Sequence, residues 1–143
     1  MAQDEFVRRT GGEEWIPYWA AARARELRFQ RCSDCGHWRH PPGPMCPDCR
    51  SFSSEWARAS GRARLLSWVV VHAPVLPAWK DRVPYPVVLV ECEEGVRTVG
   101  GLIGAAPEDL RMDMAVRLRY DGADASGCGD AGTAFRATRF SPI

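Results

Sequence analysis

The sequence predicts a mainly β protein, in which an N-terminal helix precedes a four-cysteine zinc ribbon and a small barrel of five strands. Four cysteines form two Cys-x2-Cys pairs, Cys32/Cys35 and Cys46/Cys49. The second half of the chain holds short runs rich in β-branched and aromatic residues. With 143 residues, 45 % of them hydrophobic and 26 % charged, the chain can bury a core. It forms one domain, or one small domain with a metal-stapled appendage.

The N-terminal part divides into a lead and a helix. We expect residues 1–15 to form a flexible lead, because this stretch lacks periodicity and contains two adjacent glycines. Residues 16–30 have a helical composition, with Pro17 in the first turn and four alanines after it. The helix either covers the ribbon or binds a partner protein, and the sequence leaves both roles open. Its expected apolar stripe comprises Trp15, Trp19, Leu27 and the apolar stem of Arg23.

The paired cysteines predict a metal site. Two thiols on one tight turn bind a metal from the same side, and two such turns complete a tetrahedral four-thiolate shell for zinc. Gly36 supplies a residue that can take a positive φ where the first turn reverses. Two disulfides, or four unrelated thiols, are the alternative. Because four thiolates leave no open position for water, we expect Zn²⁺ in a structural role.

Charge and hydropathy restrict the class of protein. The formal net charge is +1, and the 19 basic residues are scattered along the chain, which argues against a nucleic-acid binder. The N-terminus lacks the apolar run of a signal peptide, and no segment reaches membrane-spanning length. We therefore expect a cytoplasmic protein, with reduced cysteines, that binds neither nucleic acid nor a membrane. A nucleic-acid-binding ribbon and barrel is the alternative, and it requires a basic groove with stacking aromatics.

The region after the ribbon predicts five strands. Five short strands separated by turns suit a barrel of the oligonucleotide/oligosaccharide-binding (OB) type. The Ser60-Gly61 turn signal suggests a boundary, so we expect a helix plus zinc ribbon in residues 16–60 and an OB-fold domain in residues 61–143. The expected strands cover residues 65–72, 86–93, 97–103, 115–120 and 133–140.

These features together resemble the DUF35 family, which combines a rubredoxin-like zinc ribbon with an OB-fold. The resemblance runs from about Trp15 to Phe140. One departure is Asp113, which stands where the family usually has glycine before the methionine. The residues that carry the resemblance are Leu27 before the first cysteine pair, Pro41-Pro42 and Pro47 around the second pair, Trp56, Ser60-Gly61, Ser67-Trp68, Pro84-Tyr85, Glu91 and Glu94-Gly95-Val96-Arg97.

The resemblance implies a function through a partner. DUF35 proteins associate with thiolase-fold enzymes that act on acyl-CoA or acyl substrates, among them steroid side-chain aldolases, thiolases and C-acyltransferases. By this resemblance the chain is expected to be a non-catalytic accessory subunit of a hetero-oligomer in lipid or steroid metabolism. It would help to bind the substrate or stabilise the complex.

The residues themselves offer no catalytic set. Cys92 lies in a predicted strand, and Cys128 has no base near it in sequence. We expect Glu91 and Glu93 to share one strand face, either as paired carboxylates or as part of a solvated surface. Either His37 or His40 could replace one thiolate as a metal ligand, but four thiolates are already present, so we expect surface or second-layer roles for both. We expect a structural role for His72 at the end of a strand, with contact to the substrate as the alternative.

A coenzyme A site is the remaining prediction. Its phosphates require Arg or Lys groups beside an apolar surface for the pantetheine arm. The Pro-rich loop 73–85 is the candidate binding loop. The predicted ligand-binding residues are Lys80, Arg82, Trp79, Tyr85 and Arg97, with Arg62 and Arg64 as further cations.

Overall fold

The computed structural model describes residues 12–73, 83–119 and 139–143. These residues form two compact units: the first contains the described chain up to Ser60 together with Glu93–Val96, and the second contains Gly61–Cys92 and the described part of Arg97–Ile143. The elements in chain order are helix α1 (Ile16–Arg23) and strands β1 (Arg28–Cys32), β2 (Trp38–Arg39), β3 (Ser54–Arg58), β4 (Arg62–Val71), β5 (Tyr85–Cys92), β6 (Arg97–Leu102), β7 (Ala115–Arg119) and β8 (Arg139–Pro142).

The N-terminal helix is shorter than its composition predicts. Arg25 takes a left-handed conformation with φ 61°, and the next N–H, that of Glu26, donates to the Ala21 carbonyl at 2.9 Å. This hydrogen bond and the left-handed residue form a Schellman ending. The expected helix over 16–30 is therefore wrong beyond Arg23, because the chain turns and enters a strand at Arg28.

The buried face of α1 also differs from the expected stripe. Tyr18 and Ala21 are buried, three residues apart, whereas Trp15 and Trp19 are half-buried. Leu27 is buried too, but it lies beyond the end of the helix. Of the expected flexible lead, residues 1–11 lie outside the described ranges, and Glu13–Trp15 forms a 3₁₀ turn.

The first unit contains an antiparallel sheet of three strands in the order β2-β1-β3. Its centre holds the buried side chain of Gln30, whose Oε1 accepts hydrogen bonds from Arg39 Nε and the Gly43 N–H, both at 2.8 Å. Arg39 Nη2 also donates to the Gly43 carbonyl at 2.9 Å. The side chain of Gln30 thereby fixes the loop 41–44 against the sheet.

The second unit is a closed barrel with the strand order β4-β5-β6-β8-β7. All neighbouring pairs are antiparallel except β6 and β8, which are parallel. The predicted OB-like barrel of five strands is thus confirmed, although most of the expected last strand, 133–140, lies outside the described residues. The fully buried core side chains of the barrel are Leu65, Val88, Val90, Val116 and Phe140.

The turn before β7 explains the departure at Asp113. This residue has φ 61°, a left-handed conformation that glycine adopts most easily and that Asp tolerates better than most residues. Its N–H donates to the Leu65 carbonyl at 2.8 Å, and its carboxylate lies 2.7 Å from Arg64 Nη1. The turn therefore keeps a glycine-type conformation with aspartate in place.

No helix in the described ranges is long and apolar enough to cross a membrane.

Candidate metal centre

The first cysteine pair forms a tight turn, or knuckle, between β1 and β2. The Gly36 N–H donates to the Cys32 carbonyl at 3.0 Å, and the Cys32 N–H donates to the His37 carbonyl at 2.8 Å. Gly36 has φ 77°, the left-handed conformation expected where the turn reverses. The turn places Cys32 and Cys35 on the same side of the loop.

The second cysteine pair repeats this knuckle with the same hydrogen bonds. The Arg50 N–H donates to the Cys46 carbonyl at 3.0 Å, and the Cys46 N–H donates to the Ser51 carbonyl at 2.8 Å. Arg50 has φ 63° and occupies the position that Gly36 holds in the first knuckle. The sequence gives no sign of this conformation, because an arginine replaces the glycine that would mark it.

The two knuckles bring four sulfur atoms together. The Sγ atoms of all four cysteines lie within 4.8 Å of one another. Sγ of Cys32 is 3.5 Å from that of Cys49, and Sγ of Cys35 is 3.6 Å from that of Cys46. A tetrahedral zinc with Zn–S bonds of about 2.3 Å has S–S edges of about 3.8 Å. The four cysteines are positioned to bind one zinc ion in a closed, structural site.

The electrostatics of the thiols fit a divalent cation. The backbone N–H of Cys35 lowers the pKa of the Cys32 thiol to about 6, and that of Cys49 lowers the pKa of Cys46. The His37 N–H also lowers the pKa of the Cys35 thiol. The Cys49 thiol, burial and the Cys46 thiol outweigh it and raise the pKa of Cys35 to about 12. Four thiols at this separation cannot all ionise alone, since their negative charges repel. A bound zinc ion stabilises all four thiolates.

Neither histidine of the ribbon competes with the cysteines for the metal. His37 Nδ1 lies 2.7 Å from Asp48 Oδ2, so this contact joins the first knuckle to the second. His40 packs among the rings of Trp15, Tyr18 and Phe29, with centroid distances of 5.3, 5.3 and 5.0 Å. Burial lowers the pKa of the His40 imidazole to about 4, so it is neutral at pH 7.

The surface of the ribbon carries a further aromatic and charged contact. The Arg31 guanidinium lies over the Trp38 ring, 5.6 Å from its centroid, and Arg31 Nη1 is 3.8 Å from Glu55 Oε1. Strand β3, which supplies Glu55, was not expected from the sequence. It pairs with β1, which lies far from it in sequence, so no local sequence pattern predicts it.

The predicted coenzyme residues are only partly described. Lys80, Arg82 and Trp79 lie outside the described residues. Tyr85 is the first residue of β5, and Glu91 lies six residues further along the same strand. Arg97 on β6 lies opposite Glu91. At about 3.4 Å per residue, this separation is roughly 20 Å. The structure therefore does not bring Tyr85 and Arg97 together.

The charged residues of the barrel form ion pairs with one another. Glu91 Oε1 accepts a hydrogen bond from Arg64 Nη2 at 2.7 Å, and Glu91 Oε2 accepts one from Arg97 Nε at 3.1 Å. Both guanidinium groups lower the pKa of the Glu91 carboxyl, and the hydrogen bond from Arg64 has the larger effect. The expected shared face of Glu91 and Glu93 is wrong, because β5 ends at Cys92 and Glu93 lies in the following turn.

Three residues considered as catalytic candidates are Cys92, His72 and Cys128. Cys92 is buried at the end of β5, His72 is exposed just after β4, and Cys128 lies outside the described residues. A four-thiolate ribbon followed by a closed barrel of five strands defines a zinc-ribbon and OB-fold protein.

Comparison with known families identifies this class further. Residues 19–55 match the family described as "ChsH2, rubredoxin-like zinc ribbon domain", and residues 56–121 match "ChsH2, C-terminal OB-fold domain". A "DUF35 domain-containing scaffold protein" of Methanocaldococcus jannaschii is 34 % identical over 79 % of this chain and 79 % of its own length. The chain belongs to the DUF35 family.

Two longer proteins are also similar in sequence to this chain. The "Probable enoyl-CoA hydratase alpha subunit" of Thermomonospora curvata is 43 % identical over 75 % of this chain, and the "3-oxo-4,17-pregnadiene-20-carboxyl-CoA hydratase alpha subunit" of Mycobacterium tuberculosis is 39 % identical over 82 %. The matched regions span only 33 % and 37 % of those two proteins.

A chain of the structure named "Ltp2-ChsH2(DUF35) aldolase" is 36 % identical, with a TM-score of 0.77 over 93 % of this chain and 97 % of that chain. A DUF35 protein of unknown function from Sulfolobus solfataricus shares the fold, with a TM-score of 0.61, 12 % identity, and coverage of 96 % of this chain and 92 % of its own.

Proposed function

We propose that this chain is a non-catalytic accessory subunit, which binds a thiolase-fold enzyme acting on acyl-CoA or acyl substrates. The observation that carries the proposal is the similarity to a chain of the Ltp2-ChsH2(DUF35) aldolase, which extends over nearly the whole of both chains. That chain is part of a complex of two named proteins. A similar chain of similar extent suits the same kind of assembly.

The names of other relatives support a role inside an assembly. Two are named as alpha subunits of hydratases that act on CoA thioesters, and three archaeal relatives are named as scaffold proteins. A subunit and a scaffold both act through a second protein. This chain matches only 33 % and 37 % of the two hydratase subunits, so their activity is not carried over to it.

The chemistry of the described residues also favours an accessory role. The four-thiolate site leaves no coordination position for water or substrate. In the described ranges Cys92 is buried, and the Glu91 carboxylate is engaged by two guanidinium groups. Nucleophilic catalysis requires a nucleophile beside a base that a third group orients. We find no such set in the part of the chain that the structure describes.

Coenzyme binding by this chain stays a prediction. Lys80 and Arg82 would bind the phosphates, while Trp79 and Tyr85 would contact the pantetheine arm. Arg97 could contribute only in competition with its ion pair to Glu91. An acyl-CoA contact would make this subunit part of the substrate site without making it catalytic.

Reconstitution with the partner enzyme tests the proposal. The thiolase-fold enzyme that co-purifies with the chain at native levels is purified separately, and steady-state kinetics are measured with and without the chain. We expect no acyl-transfer or carbon–carbon bond chemistry from the chain alone, and a rise in kcat/KM of the partner of about tenfold or more, equivalent to about 1.4 kcal/mol of transition-state stabilisation. Full activity of the partner alone would reject the accessory role.

A double substitution separates coenzyme binding from assembly. If Lys80 and Arg82 contact the coenzyme phosphates, replacing both by alanine raises KM of the complex more than it lowers kcat, because uniform binding is lost. If the complex instead dissociates, the loop is an assembly surface and the coenzyme assignment is wrong.

A further inference from the structure

The outer surface of the barrel contains an apolar face on β4, β5 and β6. Strand register places Ser67, Leu89 and Val99 in one outward row across the three strands. The next rows contain Val69, Val87 and Gly101, and then Val71 and Tyr85. We call the six side chains Val69, Val71, Tyr85, Val87, Leu89 and Val99 the apolar face.

This face is unusual for the outside of a small barrel. Outward positions on a solvated antiparallel sheet are normally polar, and inward positions are apolar. Val69 and Val99 are each 61 % exposed, and Val87 and Leu89 lie half-buried between them. The other half of the same strands follows the normal pattern, because its outward positions carry Arg62, Arg64, Glu91 and Arg97. The apolar composition is therefore local to one part of the barrel.

A charged border limits the face at one end. Arg64, Glu91 and Arg97 form the adjacent outward row, and Asp113 pairs with Arg64 at 2.7 Å. Two cations and two anions balance one another in this network. An apolar centre beside a polar border is the usual anatomy of a protein–protein interface. The balanced charges also mean that this border demands no strongly charged partner surface.

The size of the face decides which partner suits it. Three strands about 4.8 Å apart, with about five residues at 3.4 Å each, give a footprint of roughly 240 Å². A stable interface buries about 800 Å² on each partner. Two copies of this chain that met through this face alone would bury far too little for a stable dimer. A larger subunit can cover the face and also contact surface around it.

We propose that the apolar face is the central contact through which the barrel docks on an apolar, weakly charged surface of the larger enzyme subunit. This inference rests on the proposed function and adds to it the location of the contact. Binding would remove the side chains of Val69 and Val99 from water and leave the Arg64–Glu91–Arg97 border at the rim.

Charged substitutions at the centre of the face test the inference. Val69→Arg and Val99→Arg each place a guanidinium where the partner would exclude water, and burying an unpaired charge is costly. We expect each to raise the dissociation constant for the purified partner enzyme at least about tenfold, measured by titration calorimetry with the full chain. Met112→Arg is the matched control, because Met112 is 70 % exposed in the same unit but lies outside the face. It should change the dissociation constant less than about twofold.

The outcomes are distinguishable. Binding of Val69→Arg and Val99→Arg with the affinity of the unchanged chain would overturn the location of the contact while leaving the accessory role intact. Absence of any binding by the unchanged chain would instead overturn the proposed function. If the unchanged chain is a dimer by sedimentation and Val99→Arg makes it a monomer, a second copy occupies the face. Should the arginine variants unfold, as judged by circular dichroism, the pair Val69→Thr and Val99→Thr keeps the β-branched shape and must still weaken binding.

Discussion

The neutral His40 makes the stability of the first unit depend on pH. Its imidazole packs among the rings of Trp15, Tyr18 and Phe29, and burial lowers its pKa from 6.5 to about 4. In the unfolded chain the same imidazole takes up a proton near pH 6.5. As the pH falls from 6.5 towards 4, the unfolded state therefore binds a proton that the folded state excludes, and folding becomes less favourable.

The size of the effect follows from the difference of the two pKa values. A His40 imidazole with pKa about 4 in the folded state and 6.5 in the unfolded state costs about 2 kcal/mol of stability between pH 7 and pH 5. At pH 7 and above the contribution is small, because the imidazole is neutral in both states. Below pH 4 it reaches its limit of about 3 kcal/mol.

Comparison of two variants isolates this contribution. We expect His40→Phe, which keeps a ring in the cluster, to remove about 2 kcal/mol of the pH dependence, measured by urea unfolding at pH 7 and pH 5 with equal zinc present. The loss of zinc at acid pH affects the unchanged chain and the variant alike. The difference between the two proteins in how the free energy of unfolding changes with pH therefore reports His40. His72→Gln is the control, because His72 is exposed and should keep the original slope. Parallel profiles for His40→Phe and the unchanged chain would refute the reasoning.

Three further predictions concern the ribbon. Metal analysis should find one zinc per chain, and removal of zinc by a chelator should unfold the first unit as followed by circular dichroism; a metal-free chain that stays fully folded would contradict this. Cys46→Ser should reduce thermal stability or complex formation much more than Cys128→Ser, because it leaves the shell one thiolate short, and equal effects would count against the assignment. Arg50→Gly should raise the free energy of unfolding by about 0.5–1 kcal/mol, because glycine adopts the left-handed conformation without strain. Gly36→Ala at the matching position of the first knuckle should lower the free energy of unfolding by about the same amount. The urea midpoints of the zinc-loaded proteins test both expectations.

The parts of the fold that local sequence determines were predictable. Each Cys-x2-Cys pair sets its own turn, so the spacing alone located the knuckles. The barrel strands follow from short runs rich in β-branched and aromatic residues, and the approximate positions of the first four agree with the structure.

Non-local contacts explain what the sequence did not predict. The helix ends early because Arg25 is left-handed, and arginine carries no signal for that conformation. Strand β3 forms only by pairing with β1. The outward rows depend on the irregular register between Leu65 and Ser67, which shifts the alternation by one position. Simple alternation along β4 from Arg64 would have placed Trp68 outward and Val69 inward, so it could not reveal the apolar face.

The repeated knuckle also divides the metal site into two sides. The first cysteine of each knuckle, Cys32 or Cys46, is buried, and the second, Cys35 or Cys49, is exposed. In the part of the chain that the structure describes, solvent thus reaches the site through one cysteine of each knuckle. If the four cysteines hold zinc, a chelator or a metal-transferring thiol would meet Cys35 and Cys49 before the two buried thiolates. Exchange of the ion would therefore be expected to begin at the exposed cysteines, with Cys32 and Cys46 as the last ligands released.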